Sequence, residues 1–512
     1  MGKGNAMGGR LGNVIKNSSL SFATNVLPSI LRFFSRYIFV MCFGDALLGV
    51  NSLFSDVILL FSFAEMGVFT AVSFFLYKPI AEQDTEAIQS FLGLYRILNR
   101  ILIVLVTVVG LGFLPFLKYI KTPEPIPNLH VYYLIFLLQN ILSYLFSYRT
   151  AYITSAQKAY QVSFITIIIS IATEVLQILV TIIFRNFLLY LITYLVLQAI
   201  RVLWTNEYIR KHYPETIFKK TKPLDKETGL AFVKKTLSLF VMKISMVGVS
   251  QTDSIIVSTM VDVVLWGYAS NYLAIKKMIS LVLSSIASGM IPSLGNMTVV
   301  EEREKQLDTF NQYSFLNAWL CLNLFAGLVI LVPPLIQLVF GAERLLDDLS
   351  CFLLFFNVLY FGLLEAISVL RDARGLYEKD KWLSLLSFVV NLVTSVVLVW
   401  LFGLPGVFAG TLIGTTVVYA RPYMVMKEVY GENGWNYYRI CIRTLLISVP
   451  VYLLLQFVIH PAIWAWQTNI LGLIISGIVT VLVTNGLFIL GNLKDENLRK
   501  CLNVAKGFVR KA

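Results

Sequence analysis

The sequence predicts an all-α polytopic membrane protein of roughly fourteen transmembrane helices: two six-helix lobes followed by two further helices. Three observations predict it. Of its 512 residues, 57% are hydrophobic and only 14% charged, with a mean hydropathy of +0.75, far more apolar than a soluble globular average. Apolar runs of about 20 residues, the length that crosses a hydrocarbon core, recur from near residue 17 to near 491. Segments of the first half also reappear in the second at a near-constant offset, as set out below.

Taken in order, the pattern predicts helices near 17–43, 48–76, 94–117, 131–154, 161–184, 187–209, 236–260, 263–294, 313–339, 349–371, 382–402, 404–426, 441–459 and 466–490. The longest polar break, "RKHYPETIFKKTKPLDKETG" at 210–229, reads as a linker by its Lys and Pro content. Basic residues occupy alternate loops: Lys78, Lys158, the cluster Lys219, Lys220, Lys222 and Lys226, then Arg303, Arg374, Lys427 and Arg499. By the positive-inside rule both termini are cytoplasmic. The first helix is expected to be retained, because no apolar core followed by a small-residue cleavage site precedes it.

The formal net charge of +13 then reflects this cytoplasmic bias and contact with anionic membrane lipids; no nucleic-acid partner is implied. Five cysteines and three histidines lie scattered, without the spacing of a disulfide framework or metal site. There is no GxxxxGK[ST], HExxH, CxxC or GxSxG. The chain is therefore read as no enzyme, and no cofactor is expected.

The repeat organises the chain. "LLGVNSLF" (47–54) aligns with "LWGYASNY" (265–272) at an offset of 218, and "RTAYITSAQKAY" (149–160) with "RDARGLYEKDKW" (371–382) at an offset of 222. The expected organisation is a six-helix lobe at 1–209, a basic linker at 210–235, a second lobe at 236–427, and two extra helices with a basic tail at 428–512. Six is even, so both lobes share one orientation. Two such bundles without an ATPase point to alternating access.

Charges at membrane depth show what is carried, since an Arg, Lys or Asp there costs about 2.5–3.5 kcal/mol and normally faces a wet cavity or a partner. In the first helix Asn25, Ser29, Arg32 and Arg36 share a face by i, i+3, i+4 spacing. Two guanidiniums one turn apart suit a phosphate or pyrophosphate. In the second helix Ser55, Ser62, Glu65 and Ser73 form a stripe, and Glu65 is expected to pair with an arginine when substrate is absent. Ser270, Lys277, Ser284 and Ser288 line up on the eighth helix, with Lys276 about 100° away. Lys243, Gln251 and Asp253 on the seventh and Glu365 on the tenth complete the set. The structural reading for each is snorkelling, for Arg36 and Lys243, or a buried ion pair.

"SRYIFVMCFGDALLGVNSLFSDVILLFSFAEMG" followed by "LYKPIAEQD", together with "RDARGLYEKDKW" and "GLPGVFAGTLIGTT" (403–416), resembles the bacterial oligosaccharide flippases, the Wzx-like polysaccharide transporters. The resemblance implies the fold of the multidrug, oligosaccharidyl-lipid and polysaccharide exporters, MATE-like, with two lobes around a V-shaped cavity. It implies a polyprenyl-pyrophosphate-linked oligosaccharide substrate flipped to the outer leaflet for capsule or exopolysaccharide assembly, beside a polymerase and glycosyltransferases of the same pathway. On this reading a cationic patch of Arg32, Arg36 and Lys277 meets pyrophosphate, Lys276 faces the cavity less directly, and Ser62, Asn51, Asn271 and Gln251 meet sugar. Proton or sodium coupling through Glu65, Asp253 or Glu365 stays open beside transport driven by the potential alone. The alternatives are a cation-coupled multidrug exporter of the same superfamily and a membrane polysaccharide polymerase.

Overall fold

Every regular element of the computed structural model, which describes residues 2–214, 226–463 and 469–509, is helical. Residues 215–225 of the expected linker lie outside the described residues, as do the side chains of Asn25 and Ser29. The helices are α1 (Gly2–Phe61), α2 (Phe63–Glu82), α3 (Thr85–Phe113), α4 (Leu129–Tyr144), α5 (Ser147–Ser155), α6 (Tyr160–Phe184), α7 (Phe187–His212), α8 (Lys226–Met260) and α9 (Val263–Val300). Then follow α10 (Arg303–Phe340), α11 (Asp348–Gly362), α12 (Glu365–Ala373), α13 (Tyr377–Phe402), α14 (Leu404–Val418), α15 (Arg421–Tyr430), α16 (Trp435–Leu454), α17 (His460–Ile463), α18 (Ile470–Asn492) and α19 (Glu496–Val509).

Each of the expected helices has a counterpart here, several broken or joined. Among the described residues nine helices are long and apolar enough to span a membrane, or ten if α4 and α5, bent by 46° at their break, form one span. Fourteen spans are thus an expectation that length and apolarity alone do not reproduce. The outward faces carry the apolar load a bilayer requires: Val108, Ile183, Trp400, Leu446 and Ile470 are all exposed. At several helix starts, side chains cap the backbone N–H groups. Asp84 accepts from Ala87 N–H at 3.0 Å, Asn186 from Leu189 at 3.1 Å and Asn469 from Gly472 at 2.8 Å.

One predicted feature shifts: the helix expected over 48–76 is interrupted at Ser62 between α1 and α2. The Ser62 hydroxyl donates to the Ile58 carbonyl at 3.0 Å and lies 3.1 Å from Asn140 Oδ1 on α4, so side-chain bonds compete with the helical ladder there. Ser55 and Glu65 consequently belong to different helices. Contacts group Met1–Gly267 and Tyr268–Ala512 as two units. Within the first, α8 lies against α2 and α1, with Gly67 of α2 close to the Phe240 backbone.

In the first unit the two repeat-related glycines meet. A Cβ on Gly49 would stand 1.9 Å from the Val263 carbonyl oxygen, and one on Gly267 3.0 Å from the Asp45 carbonyl oxygen. Backbones that close tolerate no side chain. Gly49→Ala is expected to cost about 1–3 kcal/mol as overpacking, while Gly112→Ala, where nothing lies within 4 Å, stabilises slightly. Thermal unfolding of the purified variants checks the contrast.

In the second unit α14 packs on α13 through Gly406, Gly410 and Gly414, spaced one per turn, against Leu398, Ser395 and Asn391. The C-terminal helices α16 and α18 both pack on α10. Asp495 pairs with Arg443 of α16, and Lys500 of α19 with Asp308 of α10 at 2.7 Å. The hydrogen bond to Asp308, then that to Glu496, holds the Lys500 ammonium above the usual lysine range.

Candidate functional site

The first-helix arginines sit where α1 is covered by α6 and α7. The α1 helix turns at Gly44, whose φ of 80° and ψ of 175° are non-helical and sterically open only to glycine. Before the kink, Arg32 and Arg36 project one turn apart. Arg32 Nε donates to Glu174 Oε1 of α6 at 3.0 Å, the arginine side chain 66% exposed and the glutamate 6%. Its Nη atoms carry no hydrogen bond to described residues. Arg36 Nη2 donates to Ser52 Oγ at 3.3 Å, reaching past the kink. Around them stands an aromatic wall: Phe187 and Tyr190 stack at 5.9 Å, and Phe39 meets Tyr190 edge-on at 5.1 Å.

The expected partner of these arginines was Glu65; the structure gives Arg32 to Glu174 instead. Glu65 lies in the first turn of α2 and accepts from Tyr95 Oη of α3 at 3.5 Å. Behind Tyr95 runs a buried polar chain. Ser147 Oγ lies 3.4 Å from Tyr95 Oη, and Asn99 Nδ2 donates to Ser147 Oγ at 2.6 Å. Glu65 also borders a cavity of about 310 Å³ within the first unit, shared with Ser147, Thr150, Arg201, Thr205 and Asn206.

The other expected residues distribute over both units. Gln251 is half-buried and Asp253 buried on α8, in the first unit. In the second unit Asn271 is fully buried, Lys276 half-buried and Lys277 exposed on α9. Glu365 opens α12, half-buried, where the charges of Asp372, Arg371 and Arg421 act on it.

A cluster the sequence reading did not single out lies beside Glu365. Asp380, fully buried, bonds Arg371 Nη1 through Oδ2 and takes Arg421 Nε on Oδ1 at 2.8 Å. Arg421 also donates to Ser368 Oγ at 3.0 Å and Ser384 Oγ at 3.3 Å, and Arg371 Nε to Asp372 at 2.7 Å. Nearly every donor finds an acceptor, the condition for burying such charges.

No protein-family model and no curated protein matches this sequence. The fold, by contrast, is that of the MOP superfamily transporters. The structure of lipid II flippase MurJ in an inward closed conformation is similar at a TM-score of 0.64 and 15% identity, covering 92% of this chain and 98% of that one. An inward-facing multidrug resistance MATE family transporter of the MOP superfamily is similar at 0.61 and 16%, covering 84% and 98%. A MOP superfamily transporter from Pyrococcus furiosus, described as having a binding pocket of reverse polarity, gives 0.55 and 14%, covering 84% and 95%.

Proposed function

We propose that the protein is a flippase of this superfamily, carrying a polyprenyl-pyrophosphate-linked oligosaccharide from the cytoplasmic to the outer leaflet of a bacterial plasma membrane by alternating access. Its product feeds capsule or exopolysaccharide assembly, in company with a polymerase and glycosyltransferases. The observation that carries this reading is Arg32. Glu174 holds its Nε from a buried position, and the two Nη groups of an exposed guanidinium remain for an anionic headgroup, with Arg36 one turn along. Guanidinium forks suit phosphate oxygens in pairs. The Wzx-like sequence resemblance and the MurJ-like fold agree with an anionic lipid-linked cargo. An anion leaving a negative interior gains about 2.3 kcal/mol per charge per 100 mV.

Reset of the empty carrier by a proton or Na⁺ belongs to the same proposal, at Glu65, Asp253 or Glu365. Glu65 has the best support, with a neutral hydrogen-bonding partner in Tyr95. A cation exporter fits less well, because Glu174, Asp380 and Asp495 are each committed to arginine.

Proteoliposomes loaded with labelled lipid-linked sugar test the reading. Arg32→Ala and Lys277→Ala are expected to lower flux at least tenfold and several-fold respectively. Unchanged flux in both variants removes the cationic grip.

A further inference from the structure

Arg149 and Arg371 occupy the same place in the internal repeat, and the two halves treat their charge differently. Arg371 is neutralised by Asp380 and Asp372. At the matching positions the first half carries Lys158 and Thr150. Arg149 is nevertheless just as inaccessible, 8% exposed against 6% for Arg371. Its Nη1 donates to Asn206 Oδ1, its guanidinium lies 5.5 Å from the Tyr148 ring centre, and its Nε has no hydrogen-bond partner. Among the described residues no carboxylate forms an ion pair with it. The nearby Glu207 is exposed and bonded to Arg210 at 2.8 Å.

Asn206, which holds Arg149, also lines the 310 Å³ cavity, as does Arg201. Arg201 makes no hydrogen bond or ion pair among the described residues. Glu65 borders the same space but is bonded by Tyr95 and pairs with neither arginine. A buried guanidinium without a paired carboxylate is strongly disfavoured; Arg149 is one, held by Asn206 at the cavity wall, and the half-buried Arg201 lines the same cavity. Hydroxyls of Thr150 and Thr205 stand around it as further donors.

We propose that this cavity in the first unit binds a phosphate-type oxyanion, which supplies from outside the negative charge that Asp380 and Asp372 supply covalently in the second half. Arg201 at the cavity wall, with Arg149 behind Asn206, provides the charge, and the hydroxyls and Asn206 the shape. The volume is at the small end of the range of about 300–1,000 Å³ for small-molecule sites. It accommodates a phosphate group with water and excludes a whole oligosaccharide. The site is separate from the Arg32 face and does not depend on the flippase reading. Free phosphate and the phosphate of an anionic lipid headgroup present the same chemistry.

The test uses the full chain in nanodiscs and leaves Arg149 in place, because replacing so buried a residue also disturbs folding. Unfolding is followed in phosphatidylcholine discs with inorganic phosphate against chloride at matched ionic strength, and in discs containing phosphatidylglycerol. At least one probe is expected to raise the melting temperature by a few degrees. A shift with inorganic phosphate assigns a free oxyanion, and a shift with phosphatidylglycerol alone a lipid headgroup. Arg201→Gln is expected to reduce the shift at least by half. Thr150→Asp, which restores the acid of the repeat, is expected to abolish it while raising stability in chloride. The proposal is overturned if neither probe stabilises the native chain, if Arg201→Gln keeps the full shift, or if Thr150→Asp leaves the shift intact.

Discussion

Arg32→Ala is expected to lose both transport and stability, and adding Glu174→Gln is expected to return the stability alone. Removing the arginine leaves a carboxylate with a 6% exposed side chain buried without its partner, and breaking a buried pair on one side costs about 3–5 kcal/mol. Replacing that carboxylate by an amide of the same shape removes the uncompensated charge. Glu174→Gln alone should be the mildest of the three, since an exposed arginine keeps water and lipid phosphates as partners. Flux in proteoliposomes separates the two roles of Arg32. If its guanidinium meets an anionic headgroup, the double variant unfolds near the wild-type temperature yet transports at least tenfold more slowly. If Arg32 merely neutralises Glu174, flux returns with stability, and the headgroup role is lost.

The same pair shows where the sequence stops being legible. A lone charge in an apolar run marks Arg32 from the sequence alone, and Glu174, inside "ISIATEVLQI", carries the same mark. What no local pattern supplies is that the two meet across 142 residues. The expected Glu65 pairing rested on a polar stripe read from helical spacing, but α6 is what covers that face of α1. The break at Ser62 was equally hidden. Hydropathy runs on through "LLFSFAEMG", and the groups that hold the serine, Asn140 and Tyr144, come from α4. The helical class, by contrast, follows from composition and run length, which bilayer thickness imposes on every span independently of tertiary contacts. The repeat was also readable, and its glycines, Gly49 and Gly267, turned out to touch each other's backbone surroundings.

Asp380→Asn is expected to be among the most destabilising single substitutions in the second unit. Asp380 is fully buried between Arg371 and Arg421, whose side chains are only 8% and 7% exposed. The asparagine preserves volume but removes the charge that both guanidiniums share and replaces one acceptor oxygen with a donor. Asp372 remains bonded to Arg371, so Arg421 is the group left without a counter-ion. The expected cost is about 3–5 kcal/mol, the range for breaking a buried ion pair on one side. Glu428→Gln provides the contrast. It removes an ion pair of similar length, 2.6 Å to Lys379, but with side chains 54% and 44% exposed, and should cost at most about 1 kcal/mol. Pairing Asp380→Asn with Arg421→Gln should recover part of the loss, because the second change removes the stranded cation. Melting temperatures of the three detergent-purified variants decide it: equal losses for Asp380→Asn and Glu428→Gln would mean that burial does not set the strength of this cluster.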